Sequence, residues 1–157
     1  MHYIHTAWYA NQRKIWQTPN YTGYIESSEV SRIQVDPRSA LSIIPRRVMQ
    51  HLEIPIYRLS STQTIAMAST PMVRALGKIK LKCQIGDLKS KVICYVIDAD
   101  TSYNLLLGHS WIHHSSIVPS TFHQLMKYAN EEREVRTLIA EKHSFKGVNS
   151  FKRQNSK

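Results

Sequence analysis

Few side chains in this sequence stand in patterns that could carry chemistry. His109 and His113 lie four apart with His114 adjacent, so one helical turn could present two imidazoles to a metal ion. No third ligand follows at a convincing spacing, and surface or packing roles are expected, with no metal and no other cofactor. Cys83 and Cys94 are the only cysteines. They lack the spacing of a zinc module and are too few for a disulfide framework, so free thiols in a reducing compartment are expected. Lys78, Lys80 and Lys82 share one face of a strand and could meet phosphates. No aromatic residue alternates with them as a stacking platform, so a solvated strand face is the expectation. Asp36 closes a β-branched run, but an aspartate after such residues is common and assigns no role by itself. A carboxylate at a strand end becomes an acid–base centre only when a second one lies close. Like charges a few ångströms apart cannot both ionise, and the two groups then share a proton.

The elements around these residues read as short strands. Residues 21–25 and 30–35 form a hairpin about the polar turn Glu26-Ser27-Ser28-Glu29. The second run stops at Asp36-Pro37, because proline has no N–H to give a ladder. Leu41, Ile43 and Ile44 make the next apolar patch. Pro45 then opens a short helix over residues 46–52, with Val48, Met49 and Leu52 buried and Arg46, Arg47 and Gln50 outside. Unbroken alternation from Ile79 to Ile85 marks a half-buried strand. A turn at 86–90 leads to a more buried return strand at 92–97. If Asp87 to Ser90 make a four-residue turn, Cys83 faces Cys94, and two buried thiols are expected there. Residues 104–108 form a short apolar strand, 109–114 one helical turn, and 122–128 another strand. A charged stretch with one strand at 135–140 and a Lys/Asn/Ser-rich tail follow.

Size and composition bound the function. A chain of 157 residues with 42% hydrophobic and 20% charged residues suits one globular domain. No apolar run approaches the length of a membrane span, and residues 1–16 have no secretory signature. A cytoplasmic location, not secreted and without a membrane partner, is expected. The net charge of +10 is spread along the chain without a long basic block; it favours nucleic acid or membrane-surface contact in general, though a solvated surface accounts for it.

Three segments together resemble the aspartic protease of gypsy-type LTR retrotransposon polyproteins from plants. The first is Ile33-Gln34-Val35-Asp36-Pro37-Arg38-Ser39-Ala40-Leu41 with Ile43-Ile44-Pro45, similar to a retropepsin active-site loop. The second is the hairpin from Gly77 to Asp98. The third is Tyr103-Asn104-Leu105-Leu106-Leu107-Gly108, similar to the family's apolar-apolar-Gly segment. Each is weak alone, and their order and separation carry the likeness from about residue 21 to 128. The resemblance implies an all-β fold, a small closed β-barrel with one or two short helices over 21–128. A poorly ordered leader at 1–20 and a charged, partly disordered tail at 129–157 would flank it.

The resemblance also implies a mechanism. Asp36 is the catalytic residue, and Pro37, Arg38, Ser39 and Ala40 form its loop. Only one such loop exists, so a homodimer must supply the second carboxylate, and a polyprotein peptide is the substrate. Asp100-Thr101-Ser102 superficially resembles a second site, but its place before Leu105 reads as a turn whose side chains bond their own backbone. Two departures point to lost activity. Arg38 stands where the family has glycine, bringing a permanent cation to the shared proton and a side chain to a close backbone contact. The flap, Ile65, Ala66, Met67, Ala68 and Ser69 within 64–74, has neither the aromatic residue nor the glycines of the family. The expectation is a degenerate peptidase, weak or inactive, and a monomer or weak dimer. The rivals are a non-catalytic basic module for dimerisation or RNA association, and a genomic remnant without selected function.

Overall fold

The computed structural model describes residues 17–62, 65–66, 73–142 and 151–153. Its first hairpin joins β1 (Asn20–Ile25) to β2 (Ser28–Val35). The turn is only Glu26-Ser27, since Ile25 pairs with Ser28, shorter than the sequence suggested. The broken alternation at Ser31-Arg32 is a β-bulge. Two residues oppose one there, and Arg32 takes a φ of 52°. The extra residue returns Ile33 to the face already occupied by Val30, and both are fully buried.

After the loop at 36–41 come β3 (Ser42–Pro45) and α1 (Arg46–His51), which Pro45 precedes as a cap residue. A 3-10 turn, Ile56–Arg58, leads to the two-residue strands β4 (Ile65–Ala66) and β5 (Val73–Arg74), which pair with each other. The long hairpin is β6 (Gly77–Ile85) and β7 (Leu88–Ile97). Next are β8 (Leu105–Leu107), α2 (His109–His114), β9 (Val118–Ser120), β10 (Leu125–Ala129), β11 (Val135–Ile139) and β12 (Phe151–Arg153).

Six strands close a ring in the order β1-β6-β7-β3-β8-β2, with β2 returning to β1. The fold is therefore an all-β closed barrel with two short helices. β2 runs parallel to β8, and β3 parallel to β7, so both unions join segments distant in sequence. β12 pairs with the first part of β2 and β8 with the last. The barrel interior holds Ile25, Ile33, Val35, Ile44, Leu81, Leu105 and Leu107, each fully buried; burying such a side chain stabilises by about 1.5–3 kcal/mol. A second small cluster, Ile43, Ile97, Tyr103 and Leu106, lies outside the β3–β8 wall. This is why all three leucines of β8 are buried although a strand has two faces.

The register of the long hairpin corrects the sequence reading. Gly86-Asp87 is a two-residue turn with Ile85 opposite Leu88, so Cys83 faces Ser90 and Cys94 faces Ile79. Gly86 has a φ of 60° and Asp87 is not in the positive region, the pattern of a tight hairpin with glycine first. Both cysteines are buried free thiols on the inner face. Residues 121–124 form a turn between β9 and β10, not part of one strand as expected.

The flanks are more integrated than the sequence suggested. β11 pairs along the whole of β10, and Ala140 is buried. The end of the expected leader is also tied down: Gln17 C=O accepts from Gln124 Nε2 at 2.6 Å, and Pro19 C=O from Val35 N–H at 3.2 Å. Residues 1–16, 143–150 and 154–157 lie outside the described residues. Among those described, no helix is long and apolar enough to cross a membrane.

Candidate active site

Asp36 follows β2 at the mouth of the loop to β3, and β8 fixes it there. Its N–H donates to Leu107 C=O at 3.0 Å. The loop is stitched to the same segment twice more: His109 N–H donates to Ser39 C=O at 2.6 Å, and Gly108 N–H to Ser42 Oγ at 3.1 Å. Ser39 Oγ turns inward to Leu41 C=O at 2.7 Å. A side chain at 108 has no room, because a Cβ there would stand 2.7 Å from the Ser39 carbonyl oxygen. Asp36, Ser39 and the segment Leu105–Gly108 are thus brought together.

The carboxylate is 19% exposed, and its partner is Arg38. Arg38 N–H donates to Asp36 Oδ1 at 3.0 Å, and Arg38 Nε reaches the same oxygen at 3.1 Å. The backbone contact for which glycine was expected is therefore made with arginine in place. Arg38 is not among the residues of positive φ, so its Cβ meets no conformational bar. This corrects the expectation that the side chain intrudes on that contact. What remains of the departure is the guanidinium itself. Among the described residues Asp36 Oδ2 accepts no hydrogen bond, so both bonds load one oxygen. Thr18, Pro19, Val35, Pro37, Arg38 and Thr121 line a recess of about 70 Å³ against the carboxylate, a space smaller than small-molecule sites usually offer.

Of the flap residues, Ile65 and Ala66 form β4, while Met67, Ala68 and Ser69 lie outside the described residues. Asp100-Thr101-Ser102 sits in the connection before β8. Thr101 Oγ1 donates to Tyr103 C=O at 2.6 Å, the self-bonded turn expected of it. Arg47, read from the sequence as an outward residue, is the clamp on that connection. Its guanidinium donates to Asn104 Oδ1 at 2.9 Å, Tyr103 C=O at 2.8 Å and Thr101 Oγ1 at 3.1 Å. Burial lowers the Arg47 pKa and Asp100 partly offsets this. An i+2 polar neighbour of a proline gives no sign of such a reach, so Arg47 was not legible. His109 and His113 stack at 6.0 Å on an exposed flank of α2. Among the described residues, no three candidate ligands cluster as a metal site.

No family model and no curated protein matches the sequence. Among solved structures the chain is similar to the retroviral protease-like domain of Ddi1 from Leishmania major, with a TM-score of 0.55 and 16% identity over 78% of this chain and 94% of that one. The fold is retropepsin-like. In this retropepsin-like barrel, β2, β8 and the 36–41 loop supply the wall that carries the carboxylate.

Proposed function

We propose that this chain is a retrotransposon-derived aspartic peptidase domain for polyprotein processing, weak or inactive in this copy. The fold and the position of Asp36 against β8 support the peptidase ancestry. In a homodimer, two Asp36 carboxylates would share one proton. One would take a proton from the attacking water, and the other would polarise the scissile carbonyl.

The observation that carries the loss is the Arg38 guanidinium on Asp36 Oδ1. It supplies a fixed positive charge and a donor to an oxygen that a working dyad needs for its shared proton and its water. The pair is exposed on the arginine side, so it adds at most about 1 kcal/mol to stability, and its effect falls on chemistry. The altered flap sequence is a second lesion, since a lid must close and exclude water for the dyad to work.

The test compares the parent, Arg38→Gly, and Arg38→Gly with a glycine-containing flap, each against its Asp36→Asn control, on peptide substrates at mildly acidic pH. No measurable cleavage by the parent and little by Arg38→Gly alone are expected. Pepstatin-sensitive cleavage by the parent that disappears on Asp36→Asn would overturn the reading.

A further inference from the structure

The strongest charged feature outside the Asp36 loop is the outer face of β6 and β7. Three lysines there were visible in sequence, and the register adds two more. Lys82 stands directly opposite Lys91, and Gln84 opposite Lys89, while Lys80 faces Ile93 and Lys78 faces Tyr95. Inner positions of both strands are buried, so all of these side chains share the outward face. Like charges directly opposite one another destabilise a sheet, and five ammonium groups on two strands require a compensating anion or bulk solvent.

Nearby carboxylates do not supply it. Among the described residues none of the five lysines is in an ion pair. Glu26, at the edge of the face, is held by Arg58 at 2.7 Å and by the Lys82 backbone N–H at 3.2 Å. Asp87, at the turn, is engaged by Arg136 at 3.5 Å and by the Tyr128 hydroxyl.

The face also has relief and apolar surface. Two recesses of about 400 and 490 Å³ meet at Lys91. The first has Ile93, Trp111 and His114 in its wall, and the second Lys82 and Lys89. Both fall in the range of small-molecule sites. Ile93 is 53% exposed. Tyr95 lies beside Lys78, and Tyr24 pairs with Gln84 from the neighbouring β1. Aromatic residues absent along β6 are therefore supplied by its neighbours on either side.

We propose that the outer face of the β6–β7 hairpin binds single-stranded nucleic acid. Lysines at alternate positions of two adjacent strands can follow a phosphate backbone, and the tyrosines and Ile93 offer surfaces to unstacked bases. A duplex keeps its bases stacked inside and could use only the charges. An acidic peptide would likewise leave the aromatic ends of the face unused. This assignment is independent of the Asp36 reading.

The test is fluorescence anisotropy with a labelled oligouridine across a salt series, on the full chain. If all five lysines meet phosphates, the slope of log K against log salt should be about −3.5. Lys82→Gln with Lys91→Gln should reduce it to about −2, while Lys127→Gln, on exposed β10 surface, should leave affinity far less affected. Tyr95→Leu should weaken binding roughly ten-fold with the salt slope unchanged. Circular dichroism would establish that each variant is folded. An unchanged slope in the double variant, unchanged affinity on Tyr95→Leu, equal binding of a duplex, or equal displacement by polyglutamate would each overturn the proposal.

Discussion

Gly108 has a φ of −96°, which any residue adopts, so its requirement is for room. A methyl group there would press on the Ser39 carbonyl, and backbone held by three stitches cannot move aside cheaply. Gly108→Ala is expected to cost about 3 kcal/mol, read as a fall in the urea midpoint; a change below about 0.5 kcal/mol would show that the loop yields. Arg47 makes a comparable case through polarity. Arg47→Met takes the guanidinium from Asn104 Oδ1, on a fully buried amide, and leaves the Tyr103 carbonyl with the Thr101 hydroxyl alone, at an expected cost of about 1–3 kcal/mol. Chemical denaturation of the variant checks it. At this scale the positions of Asp36 at a strand end and of Gly108 after three leucines were legible, because both are local patterns. It misjudged Arg38 by half. A side chain's charge is visible in a sequence, but the φ that decides whether its Cβ fits is not. Arg47 was hidden because its partners lie more than fifty positions away.

Strand existence was legible from alternation, and strand register was not. The long hairpin shows why: Gly86-Asp87 and Asp87-Leu88-Lys89-Ser90 are both polar enough to turn, and the choice moves every cross-strand pair. Glycine at the one position of positive φ within 86–90 decides it. The same turn explains why β10 and β11 are not an appendage. Leu138 packs over Gly86, where an added Cβ would stand 2.8 Å from its Cδ2. Tyr128 and Arg136 hold Asp87. The charged composition of 129–157 had suggested a partly disordered tail, because the charges at 131–134 before β11 and its exposed Val135 and Ile139 mask the contacts of Leu138 and Ala140. Ending the chain at Ala129 should therefore lower the thermal midpoint by several degrees. An unchanged midpoint would mean that β11 contributes nothing to the barrel.

For the whole molecule, alkaline pH is the expected weak point. Burial raises the Cys83 pKa from 9.0 to about 12 and the Tyr103 pKa from 10.0 to about 12, the latter partly offset by Arg47. Cys94 is pushed up by burial and then by Cys83. Below about pH 9 folded and unfolded chains both keep these protons, and nothing is lost. Above it the unfolded chain releases them first, binds fewer protons than the folded one, and is favoured. Stability should fall from about pH 9 to about pH 12, and Cys83→Val should make that fall shallower. Urea midpoints across this range would show it, and a flat profile would contradict the burial of the thiols. Self-association is expected to be weak, given the flanking sequences, and sedimentation showing a stable dimer at low micromolar concentration would contradict that.

Ring closure through β8 has a kinetic consequence. The two hairpins, β1–β2 and β6–β7, need only short loops and can form early. Ile33 meets Leu105, and Ser42 meets Cys94, only after long stretches of chain have been brought together, and such non-local pairing slows folding. Among the described residues, Asp36 N–H and Ser39 C=O are tied from outside the loop by Leu107 and His109. The loop therefore acquires its final shape when β8 docks, late in folding, and an early folding species would hold Asp36 and Arg38 on an unrestrained turn.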